Sequence, residues 1–210
     1  MKCYVITIEP EKKIKNKVLN IKNKIFKEIG NQLYLQDPPH STLYIGYFHD
    51  FLGDKFSKEI KSICKKYLPI PIEILKIDNF GKDIISGKES IFLSIKDRKN
   101  NIKKIQKDLL ELMSKYRINE VPKRYDKSYK LLSKPLQDNI NKYGYPFVGD
   151  ILIPHISFGL FDNYKKAHKI ITDLTRDFPY GHYKFNNLVF YELNETTEGL
   201  KKIASFSMNK

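Results

Sequence analysis

Tryptophan is absent from this 210-residue sequence, cysteine occurs only twice and arginine only four times. Cys3 and Cys64 have neither CxxC spacing nor neighbours that could complete a metal site, so they are expected to be small buried apolar residues. Apolar runs such as Tyr4-Val5-Ile6 and Ile151-Leu152-Ile153 are strand-sized, far short of the roughly 18 residues that span a bilayer. The first residues carry one Lys before a short apolar run that meets Glu9-Pro10-Glu11, without the apolar core and small-residue cleavage site of a secretory leader. A cytoplasmic protein with no membrane partner is expected. H-E-x-x-H, Cys/His clusters and Asp-rich ligand sets are also missing, so neither a metal nor another cofactor is expected.

What is present describes a globular chain. Hydrophobic residues make up 41% and charged residues 30%, enough apolar content for one domain, residues 1–210, built as two lobes that share a core. Lys and Arg number 38 against 24 Asp and Glu, a net charge of +14. Such a balance suits a polyanionic partner. Because nearly all of it is Lys, which lacks the planar fork of Arg, solvated helix faces explain it equally well.

Hydrophobic spacing predicts alternating strands and helices. Residues 3–8 are β-rich, and Ile14, Val18, Ile21, Ile25 and Ile29 then form an apolar stripe closed by Gly30. Thr42 to Phe48 reads as a strand, and Phe56, Ile60, Ile63 and Tyr67 as a second stripe. Residues 70–79 and 90–95 read as a hairpin around Gly81 and Gly87, followed by a helix through Ile102, Ile105, Leu109 and Leu112. Ile151 to Leu160 is expected as a strand, with Asp162 capping a helix through Tyr164, Ala167, Ile171 and Leu174. Leu188–Leu193 and Lys201–Ser207 read as a closing strand pair. The order βαβαββα then βαββ predicts an α+β fold with a repeated strand-helix theme. Residues 117–149, basic and Tyr-rich, fit neither half and are expected as an insertion or a lid.

One short pattern occurs twice: Pro39-His40-Ser41-Thr42-Leu43 and Pro154-His155-Ile156-Ser157-Phe158. In a strand, alternate side chains share a face, so each copy presents an imidazole and a hydroxyl about 7 Å apart on one surface. Two imidazoles can act as base and acid across a phosphodiester, and the hydroxyls can meet charge growing on the phosphoryl oxygens. Either histidine alone reads as a hydrogen-bonded core residue. The matched pair in corresponding strands reads as catalytic: His40 and His155 as catalytic residues, Thr42 and Ser157 as substrate-binding residues. Tyr44 continues the face of His40 and Thr42 and is expected to bind substrate by stacking, or else to pack. His49, His168 and His182 have no evident partners.

The paired H-x-[ST]-apolar motifs, 115 positions apart, resemble those of the two-histidine (2H) phosphoesterases, including RNA 2′,5′-ligase-like and 2′,3′-cyclic phosphodiesterase proteins. The resemblance implies a bilobal, pseudo-duplicated fold of two antiparallel sheets flanked by helices, with the motifs lining a cleft between the lobes. It also implies a metal-independent phosphodiesterase acting on a 2′,3′-cyclic phosphate or 2′-5′ linkage of RNA or a nucleotide, expected as a monomer. The stretch Gly144–Gly159 is similar to members linked to phosphonate metabolism, which makes a small sugar cyclic phosphate the alternative substrate. The same motifs are also compatible with a 2′-5′ RNA ligase and with a non-catalytic RNA-binding module.

Overall fold

Strand and helix alternate much as the hydrophobic spacing requires in the computed structural model, which describes residues 2–49, 53–83, 86–197 and 199–207. In chain order they are β1 (Lys2–Pro10), α1 (Lys12–Ile29), β2 (Ser41–Phe48), α2 (Asp54–Tyr67), β3 (Ile70–Asp78), β4 (Glu89–Lys96), α3 (Asn101–Met113), α4 (Lys134–Tyr143), β5 (His155–Phe161), α5 (Tyr164–Leu174), β6 (Gly181–Asn194) and β7 (Gly199–Ser207). The stripes that predicted the helices are the faces that bury them: Ile14, Val18, Ile21 and Ile25 in α1, and Phe56 and Ile60 in α2, are all essentially inaccessible. Cys3 and Cys64 are free thiols in the core, and burial pushes the Cys64 thiol up to about 12.

Three boundaries differ from the sequence reading. The strand expected from Ile151 begins only at His155, because residues 149–151 form a 3-10 turn. Asn163, not Asp162, caps α5, its Oδ1 accepting from the Lys166 amide at 3.0 Å, while Asp162 pairs with Lys88. β6 starts seven residues before Leu188, so His182 lies in a strand, opposite Glu73.

All seven strands pair antiparallel in the order β2-β1-β6-β3-β4-β5, with β7 added to β6. The α+β class and the antiparallel pairing agree with expectation. The two sheets do not stay separate, because β6 is long enough to belong to both lobes. Its residues 185–193 pair with β1 and its residues 181–185 with β3, which fuses the lobes into one sheet.

The order also exposes a duplication. β1-α1-β2-α2-β3 corresponds to β4-α3-β5-α5-β6, and exchanging the two sets returns the same strand order read backwards. β2 and β5 are therefore equivalent, and they stand at opposite ends of the hydrogen-bonded path. The sheet bends until these two end strands touch, and a bridge from the Leu160 amide to the Leu33 carbonyl, 2.9 Å, helps hold them.

Residues 117–149 enter the second half where the first has only the turn between α1 and β2. Their helix α4 has Pro135 in its first turn and stops at Gly144, whose φ of 73° is a left-handed conformation that costs glycine little. Tyr125, Ile140 and Tyr145 carry the segment into the core. It is packed as a wall, not draped as an external loop. Among the described residues no helix is long and apolar enough to cross a membrane.

Candidate active site

The two histidines are held in the same way. His40 Nδ1 donates to the Pro38 carbonyl at 2.6 Å, and His155 Nδ1 donates to the Ile153 carbonyl at 2.8 Å, in each case two residues back. A carbonyl can only accept, so Nδ1 carries the proton and Nε2 keeps its lone pair. The intervening Pro39 and Pro154 fix their own φ and keep the preceding residue extended, which shapes the turn under each ring.

The duplication extends to a defect in each strand. Ile6 faces Tyr44 while Thr7 faces Thr42, so Leu43 is a bulge in β2. Likewise Ile91 faces Gly159 while Phe92 faces Ser157, so Phe158 is a bulge in β5. Both bulged side chains are fully buried, which gives the apolar fifth position of the motif its physical meaning. An extra residue resets the alternation of faces. Beyond the hydroxyl residues, the cavity side therefore receives Ile45 and Leu160.

His40, Thr42, His155 and Ser157 all line one cavity of about 380 Å³. The bulge overturns the reading of Tyr44 as a substrate-binding residue. Instead of continuing the face of His40 and Thr42, Tyr44 is buried behind the lining residue Tyr145, edge-on to it at 5.8 Å, and its hydroxyl donates to the Tyr143 carbonyl at 2.5 Å. It folds back over Gly46, where a Cβ would meet the Tyr44 hydroxyl at 2.7 Å. The charge of Arg117 is also near that hydroxyl.

The rings have different surroundings. His40 lies 6.2 Å from the ring of Tyr191, whose hydroxyl donates to the buried Glu9, and Glu9 in turn pairs with Lys15 at 2.5 Å. His155 sits against Phe80 and Phe92, 5.0 Å from each. Burial pulls both imidazoles below their ordinary range, His40 to about 4, with the charge of Lys22 adding to the effect on His40. Each carbonyl bond at Nδ1 opposes that shift. Both rings are thus neutral at pH 7.

Several lining residues escaped the sequence reading. Lys22 reaches the cavity from α1, Arg124 and Tyr145 come from the insertion, and Phe80 stands at the rim. Gln106, buried in α3, donates to the Leu43 carbonyl at 2.8 Å and the Phe147 carbonyl at 2.9 Å, and accepts from the Gly149 amide at 2.9 Å. The one signal for Lys22 and Gln106 was a polar residue four positions after an apolar one on a buried helix face, Val18 and Ile102 respectively. Of the remaining histidines, His49 is exposed and His168 lies against Tyr164, 5.3 Å away.

The sequence matches the family model of the 2′-5′ RNA ligase superfamily over residues 10–197, a span that contains both motifs. The chain belongs to that superfamily. No curated protein matches it in sequence. Among solved structures, TT0787 of Thermus thermophilus is similar in fold, with 10% identity, a TM-score of 0.51 and coverage of 98% of this chain and 97% of that one. E. coli LigT complexed with NADP+ aligns with 11% identity and a TM-score of 0.47 over 100% and 98% of the two chains. Usb1 of Kluyveromyces marxianus aligns with 9% identity and a TM-score of 0.43 over 99% and 98%. With membership of the superfamily, the fused antiparallel sheet and its end-strand motifs become the frame for the chemistry.

Proposed function

We propose that this superfamily member is a phosphodiesterase that hydrolyses a 2′,3′-cyclic phosphate or a 2′-5′ phosphodiester of RNA or a nucleotide, using His40 and His155 as general acid and base. The observation that carries the reading is the matched pair of imidazoles on one cavity, each anchored through Nδ1 with a hydroxyl residue two positions on. Nε2 of one ring takes a proton from water as the water oxygen bonds to phosphorus. Nε2 of the other gives a proton to the ribose oxygen as its bond to phosphorus breaks. Thr42 and Ser157 donate to the non-bridging oxygens, from strands already rigid before substrate arrives.

One ring must hold a proton to serve as acid, and both are neutral in the free protein at pH 7. The phosphoryl anion provides the opposite charge that raises a neighbouring imidazole, so substrate and proton enter together. Every step is left to side chains, and EDTA in the assay tests that assignment. The reverse reaction is ligation, which the same groups permit.

A cavity of about 380 Å³ is near the small end of ligand sites, which favours a cyclic nucleotide or a small sugar cyclic phosphate over a length of RNA within the cavity itself. The test is a mass-spectrometric product assay with EDTA on nucleoside 2′,3′-cyclic phosphates, 2′-5′ and 3′-5′ oligoadenylates and ribose cyclic phosphates. His40→Ala and His155→Ala should each lower the rate on one of these classes by roughly 10² to 10⁴. A loss of only a few fold would sink the acid-base assignment. No turnover of any class would leave a binding module.

A further inference from the structure

α1 carries a lysine where its buried face should be apolar. Lys22 is only 3% exposed, yet it reaches the cavity that His40 and His155 line. Its Nζ donates to the Tyr34 carbonyl at 2.8 Å and to the Asp37 carbonyl at 2.9 Å. An ammonium has three N–H bonds. The third has no hydrogen-bond partner among the described residues.

The anchoring ties this charge to the catalytic imidazole. Asp37 and Pro38 are consecutive, and their carbonyls hold the Lys22 ammonium and the His40 ring respectively. A brace for two carbonyls does not require a cation, and burying one is costly unless an anion offsets it. The charged residues that line the cavity beside Lys22 are Asp37, which lies next to Pro38, Arg124 from the insertion, and Lys82 and Asp83 between β3 and β4, while Glu9 on β1 acts on the His40 ring. Glu9 is already bound to Lys15 and Tyr191. The cavity itself is the place where a further anion can reach the ammonium.

We propose that Lys22 is a substrate-binding residue whose third N–H and positive charge meet a non-bridging oxygen of the phosphoryl group held between His40 and His155. The inference rests on the phosphodiesterase reading and adds a buried cation, from α1, to the hydroxyls and imidazoles of the anion site. Burial brings the Lys22 ammonium down to about 8, with the Asp37 carboxylate opposing the shift. Anion binding should therefore weaken as pH rises through that value. In the free protein the imidazoles are already neutral by pH 7, and burial pushes the wall tyrosines Tyr125 and Tyr145 upward, so neither changes charge between pH 7 and pH 9 before the anion binds. A proton that the bound anion draws onto an imidazole adds a fall shared by wild type and Lys22→Arg, and the Lys22 contribution is the difference between the two proteins.

Inorganic sulfate is a suitable probe, being tetrahedral with a charge fixed across this range. Its binding to the intact protein can be followed through the imidazole Hε1 resonances of His40 and His155. At pH 7, Lys22→Met should weaken sulfate at least tenfold. Wild-type affinity should fall several fold more between pH 7 and pH 9 than that of Lys22→Arg, which should bind within about threefold of wild type at pH 7. Wild-type affinity in a folded Lys22→Met protein would show a brace and no more. If Lys22→Met does not fold, an undiminished fall in Lys22→Arg overturns the proposal. Absence of sulfate binding by wild type also overturns it, while the His40→Ala and His155→Ala product assays judge the phosphodiesterase reading separately.

Discussion

His40 and His155 each take their orientation from one bond, and the proposed acid-base chemistry depends on it. With Nδ1 donated to a carbonyl, the ring cannot turn without losing a hydrogen bond, and the lone pair stays on Nε2. Both rings are held below the ordinary imidazole range, His40 at about 4, with burial the largest cause. For kcat/KM the free enzyme matters, and a pair that works as one acid and one base needs one proton on it. That proton is lost as pH rises through the higher of the two values, which lies below 6.5. The pH profile of kcat/KM should therefore peak on the acid side of 6.5 and fall roughly tenfold per unit above it. A plateau extending to pH 8 would show that the rings are not depressed in solution.

β2 and β5 do more than carry these rings. Each has a bulge at the fifth motif position, and α3 braces both neighbourhoods through Gln106. Its side chain joins the Leu43 carbonyl, at the first bulge, to Phe147 and Gly149, just ahead of the second motif. Gln106→Leu nearly conserves volume but leaves three backbone groups without their partner. It should cost roughly 2–4 kcal/mol in urea unfolding, and lower activity through loss of alignment between the motifs. Full activity and stability would mean that water replaces the amide. Gly46→Ala tests the other side of the first bulge. Its new methyl meets the folded-back Tyr44, so repacking should cost about 1–3 kcal/mol, and pairing it with Tyr44→Ala should recover part of that loss. Both sites escaped the sequence reading for the same reason. A bulge depends on the register between two strands, which neither strand's own pattern contains.

The net charge of +14 acts over longer distances than any of these contacts. If the substrate is an oligonucleotide, its phosphates outside the cavity meet these lysines and displace counterions on binding. In that case kcat/KM should fall about tenfold or more between roughly 50 and 200 mM salt. A cyclic mononucleotide has no such phosphates, and its kcat/KM should change by less than about threefold. Comparing the two substrates across that salt range separates a surface that recruits RNA from one that is merely solvated.

The sequence alone determined the elements and the chemical pattern. Apolar spacing marks which face of a helix or strand is buried, and it marked α1 through Ile14, Val18, Ile21 and Ile25. The repeated Pro-His-x-hydroxyl-apolar order needed only local reading to reveal two equivalent strands. Tertiary structure alone decided that β2 and β5, at opposite ends of one sheet, meet across a cavity. It also decided that Tyr44 turns away and that Lys22, Gln106 and Arg124 gather near the motifs. Periodicity records whether a side chain is buried but not what it is buried against, because the partner lies far along the chain and is set by sheet curvature and register.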